Sequence, residues 1–162
     1  MEISSINDIK KNLAGKDPDE LVALCLRMAR YKKENKELLS YLLFESANEQ
    51  QYIEGLMKEM DEQFLLLEFS TTYKYTKQIR KILRSVNKHA KYSGLPATQV
   101  ELLIHFCSHL LPIVKKRNHQ TALINLYAQQ IKKINTALGK LHEDLQYDYI
   151  KHMEKTGLIW EA

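Results

Sequence analysis

Between Phe69 and Val100 the chain contains no Asp or Glu and seven Lys and Arg. Six of them, Lys74, Lys77, Lys81, Arg84, Lys88 and Lys91, follow a 3-4-3-4-3 spacing. An α-helix gathers that spacing into one stripe, because positions three and four apart share a face. Tyr75, Ile79, Ile82, Leu83, Val86 and Ala90 centre on the opposite side. Such a segment folds as a two-faced helix that lays its apolar side on a core and turns its cations outward. Residues 34–68 do the reverse, with nine acids against Lys36 and Lys58.

The same periodicity and its punctuation extend along the chain. A short helix starts near Ser5 and stops at Gly15. Asp17-Pro18-Asp19-Glu20 then has the form of a capping box with proline at the first helical position, opening a helix with Leu21, Leu24, Cys25 and Met28 on one side. Asn35 is a cap for a segment carrying Leu38, Leu39, Leu42 and Leu43, and Ser46 with Glu49 has the form of a further capping box. The next run turns Tyr52, Ile53, Leu56, Met57, Met60, Phe64 and Leu67 inward. Ser70, Thr71 or Thr72 caps the basic helix, and Gly94-Leu95-Pro96 ends it. Thr98 with Glu101 opens another helix, which Pro112 is expected to kink or end. From 118 to 156 Ile124, Tyr127, Ile131, Ile134, Leu138, Leu141 and Leu145 alternate by three and four, a seam of coiled-coil type in a long helix that either spans the domain or breaks near Gly139. The expected fold is all-α, a single domain over residues 1–162 with six or seven helices in antiparallel hairpins, as a bundle or short repeat-like array ending in one long helix.

Composition narrows the class further. Five Gly and three Pro in 162 residues are few for an all-β chain. Cys25 and Cys107 stand far apart, without a CxxC, as reduced thiols in a cytoplasmic protein do. The N-terminal residues lack the basic and apolar regions of a signal peptide, and no apolar run is expected to approach the length that spans a bilayer. The expected location is the cytoplasm.

Several residues invite chemical readings. The cationic stripe is a solvated face, or one flanked by the acidic helix before it; as a functional surface it suits an acidic protein partner or, next, nucleic acid phosphates. No membrane association is expected, since its apolar side lacks Trp and Phe anchors. Glu101, His105 and His109 recur every four residues and share one helix edge, as zinc ligands can, but no fourth ligand is identifiable and ordinary interfacial histidines are the simpler reading. His142-Glu143-Asp144-Leu145-Gln146 begins like a zinc-protease helix and lacks the second His. Asp148 and His152 have the spacing of a surface ion pair. No GxSxG, P-loop or GxGxxG occurs, so no catalytic residue and no cofactor is expected. Trp160 follows the stop at Gly157 and is either docked on the domain or an anchor for a partner.

The stretch from Cys25 to Leu39, CLRMARYKKENKELL, continuing through Tyr41-Leu42-Leu43-Phe44-Glu45, resembles a segment of uncharacterised small all-helical bacterial proteins. That resemblance implies an all-helical domain without an established activity, and it carries no site. The sequence therefore reads as a non-enzymatic interaction module, acting on an acidic protein surface or on a second copy of itself. The alternative is a nucleic-acid-binding accessory protein using residues 74–91. A metal-dependent enzyme at Glu101, His105 and His109 stands third.

Overall fold

The computed structural model describes residues 3–117 and 120–158. The protein is all-α: the described residues form eight α-helices and one π-helical turn, and no strand. They gather into two compact units, residues 1–45 and 46–162.

In the first unit, α1 (Ile6–Ala14) is capped by Ser5, whose side chain accepts from the Asp8 amide at 3.2 Å. The expected capping box launches α2 (Pro18–Tyr31): Glu20 N–H donates to Asp17 Oδ1 at 2.8 Å and Asp17 N–H to Glu20 Oε2 at 3.3 Å. Asn35 does not cap. Helix α3 (Lys33–Ser40) already begins at Lys33, and Asn35 Nδ2 instead donates to the Met28 carbonyl at 2.9 Å, tying α3 back to α2. The chain then enters the π-helical turn Tyr41–Glu45. No side chain of α1, α2 or α3 is buried.

The second unit holds the core. Helix α4 (Glu49–Leu65) is capped by Asn48, which accepts from the Gln51 amide at 3.2 Å, so Ser46 is not its cap. The Glu49 carboxylate is used elsewhere, accepting from Ser93 Oγ at 2.5 Å and Thr98 Oγ1 at 2.6 Å. Helix α5 (Thr72–Ser93) is capped by Thr71 and closed by Gly94 in the left-handed region at φ +70°. All six apolar residues expected to face inward are buried. Helix α6 (Pro96–Lys116) runs through Pro112 rather than ending there, and packs against α4, α5 and α7 (Thr121–Leu138). Its Val100, Leu102, Leu103, Phe106 and Leu110 are fully enclosed. Each large apolar side chain so buried contributes roughly 1.5–3 kcal/mol.

Helix α6 is also long and apolar enough to cross a membrane, by length and composition alone. Counting uninterrupted apolar runs misses this, because Glu101, His105 and His109 interrupt the pattern. Ten of its side chains are buried in the unit's core.

The described residues of the run from 118 to 156 form two helices. The run divides at Gly139 into α7 and α8 (Glu143–Thr156), with His142 as the cap of α8. Its seam is spent inside the unit. Tyr127, Ile134 and Leu138 are buried, and Ile124 and Ile131 pack half-buried against the same core, whereas Leu145 is exposed.

Candidate functional site

Two surfaces of the second unit concentrate chemistry. The first is the outer side of α5. Lys74, Lys77, Lys81, Arg84 and Lys91 are exposed, and among the described residues none has a carboxylate within ion-pair distance. The acids of α4 are largely committed elsewhere: Glu49 to Ser93 and Thr98, Glu54 to Gln50, Glu59 to Gln63 and Asp61 to two histidines. Lys74, Lys77, Lys81, Arg84 and Lys88 line two depressions of about 650 and 450 Å³, which share Leu66, Gln78, Lys81 and Arg84 and so form one trough. One wall runs from Lys74 to Lys88, about 21 Å along the helix. The other is the end of α4 and the segment after it, where Leu66 is 76% exposed and Leu67 is half-buried. Gln78 Nε2 donates to the Glu68 carbonyl at 3.0 Å and holds that segment against α5. The arrangement is a mainly cationic rim, on which Glu59 and Glu68 also stand, beside the exposed Leu66.

The second surface joins α4, α6 and α8. Asp61 Oδ1 lies 2.6 Å from His105 Nε2 and 2.7 Å from His109 Nε2. A carboxylate oxygen only accepts, so both rings present Nε2–H to it. Burial pushes the Asp61 carboxyl up, but hydrogen bonds from His105 and His109 outweigh that and hold it below its ordinary value. The His109 ring stacks on Phe64 at 4.7 Å between centroids and 13° between planes. Beside the cluster lies an open cleft of about 670 Å³, floored by Met57 and Ile104 and rimmed by Glu101, His105, Ser108, Asp148, Tyr149 and His152.

Glu101 does not join His105 and His109. It accepts from Tyr149 Oη at 2.7 Å, so it faces α8, and the carboxylate that meets the histidines is Asp61 of α4. Asp148 and His152 form no ion pair with one another and both border the cleft. His142 caps α8 with its ring nitrogen. Cys107 is enclosed on the core side of α6, where burial pushes its thiol up to about 12, so it offers no thiolate ligand. Trp160 lies outside the described residues. Leu158, two residues earlier, is fully buried, and its carbonyl accepts from Tyr127 Oη.

These features define an all-α protein carrying an open cationic trough and a separate carboxylate–histidine cluster. No family model, curated protein or solved structure matches the chain.

Proposed function

We propose that the second unit is a non-enzymatic docking module that seats an acidic, amphipathic helical segment of a partner protein in the trough beside α5. The observation that carries this reading is the juxtaposition of unpaired Lys77, Lys81 and Arg84 with exposed Leu66 in one trough. Charge complementarity steers such a segment in, and the exposed Leu66 takes its hydrophobic side. A phosphate backbone uses the cations and has no need of the leucines. The seam of α7 supports this choice over self-association, because its residues are already packed in the core.

Fluorescence anisotropy tests the proposal with a labelled helical peptide bearing Glu on one face and Leu on the other. Binding is expected to weaken as salt rises and to be lost in a Lys77→Glu, Lys81→Glu, Arg84→Glu variant. Leu66→Ser is expected to weaken the peptide about tenfold, the cost of one good apolar contact. Peptide binding indifferent to the charge reversal overturns the reading. So does tighter binding of mixed-sequence RNA or duplex DNA that survives Leu66→Ser, which identifies a nucleic acid surface instead.

A further inference from the structure

The Asp61–His105–His109 cluster takes no part in the docking reading. We propose that these three residues form a binding site for a zinc-class divalent cation, open on one side to solvent or to a small ligand.

Ligand chemistry is the first argument. Two imidazole nitrogens and one carboxylate oxygen are a donor set that zinc accepts, and three protein ligands with an open fourth position are the pattern of zinc that also takes a water or small ligand rather than of closed structural zinc. Spacing is the second. His105 and His109 are one turn apart on α6, so both Nε2 atoms project to the same side. The third is convergence across elements: Asp61 comes from α4, and its Oδ1 meets both Nε2 atoms at 2.6 and 2.7 Å. The three donor atoms all lie within 4.8 Å of one another. A tetrahedral zinc with bonds of about 2.0–2.1 Å needs ligand atoms about 3.3 Å apart. The carboxylate oxygen, now 2.6 and 2.7 Å from the two rings, has to part from them by side-chain rotation to meet that requirement.

Preorganisation and access complete the case. Phe64 fixes the plane of the His109 ring from one face, and His105 stands against it at 5.0 Å between centroids. The side chains remain 24%, 33% and 45% exposed at His105, His109 and Asp61, so an ion reaches them from solvent. On binding, each ring proton moves from Nε2 to Nδ1, and the cation takes its place between the rings and the carboxylate. Charge balances in part: one carboxylate against a divalent ion leaves a cationic centre that attracts an anionic ligand. His105 also borders the cleft rimmed by Glu101, Ser108, Tyr149 and His152, which gives such a ligand room.

Isothermal titration of untagged, chelator-treated full-length protein with zinc chloride tests the site. One zinc per chain is expected, at micromolar affinity or tighter. Asp61→Ala and His109→Ala should each weaken it by about 100-fold or more, since outer-shell changes alone cost 10–100-fold. His142→Ala, at an exposed histidine outside the cluster, should leave it unchanged. Circular dichroism confirms that each variant is folded. The wild type supplies a measurement that needs no variant: imidazole nitrogen resonances should shift on zinc addition for two of the six histidines. Absence of saturable binding, binding by the Asp61 and His109 variants as tight as that of the wild type, or shifts confined to other histidines overturns the proposal.

Discussion

Asp61 carries two hydrogen bonds on one oxygen, and its carboxyl is held below its ordinary value by His105 and His109 despite some burial. A carboxyl whose folded pKa is depressed contributes stability that is complete above its unfolded value, about 3.9, and is lost as pH falls through the lowered folded value. With chelator present, wild type should therefore exceed Asp61→Ala in stability at neutral pH, by about 1 kcal/mol after allowing for its exposure. That difference should shrink as the pH falls below the ordinary carboxylate range. Urea unfolding of both proteins across the acid limb measures it, and a difference that grows on acidification contradicts the assignment. The histidine half of this cluster was legible in the sequence as a spacing of four. The carboxylate was not. Asp61 stands 44 and 48 residues before its partners, and on a string of acids it looks no different from Glu59 or Glu62. What singles it out is its place on α4 between inward-facing Met60 and Phe64, which only the packing of α4 on α6 turns into proximity. Glu101 had the right spacing, but Tyr149 takes its carboxylate toward α8.

At the scale of elements, two glycines act in opposite senses. Gly55 sits within α4 at an exposed position where an added Cβ meets nothing within 4 Å. Its replacement by Ala should stabilise the protein by about 0.5–1 kcal/mol, because glycine has more backbone freedom to lose in a helix. Gly94 ends α5 at φ +70°, a conformation that strains any residue with a Cβ, so Gly94→Ala should destabilise by about 1 kcal/mol although the space around it is equally empty. Chemical denaturation of the two variants gives the signs, and a shared sign contradicts this account of the α5 terminus. Local signals of this kind made α2 and α5 readable, since capping and amphipathicity agree there. They failed where several caps competed. Asn48 displaced Ser46 because the Glu49 side chain is drawn to Ser93 and Thr98, residues more than forty positions away. The seam over 118–156 likewise keeps its three-four rhythm across the interruption between two helices. Periodicity reports which side chains face a core and says nothing about whether the backbone stays helical between Leu138 and Glu143.

For the whole molecule, charge segregation and core placement carry different information. The opposite net charges of residues 34–68 and of α5 suggested mutual neutralisation, yet packing α4 on α5 leaves most of the stripe open, because the acids of α4 turn to other partners. The continuous apolar cluster of the fold runs from Ile53 to Leu158, entirely within residues 46–162, and the first helix of that unit brings its own cap in Asn48. Helices α1, α2 and α3 bury no side chain. A fragment of residues 46–162 should therefore fold by itself, at a size where one hydrophobic core ordinarily suffices. Calorimetry of the fragment should show a single cooperative transition with an unfolding enthalpy on the order of 80 kcal/mol near 60 °C. Near-ultraviolet dichroism should be retained, since Tyr75 and Tyr127 lie buried within it. A helical fragment that binds a hydrophobic dye and melts without a heat-absorption peak would be a molten globule. That outcome would mean that residues 1–45 are needed to fix the packing of the core.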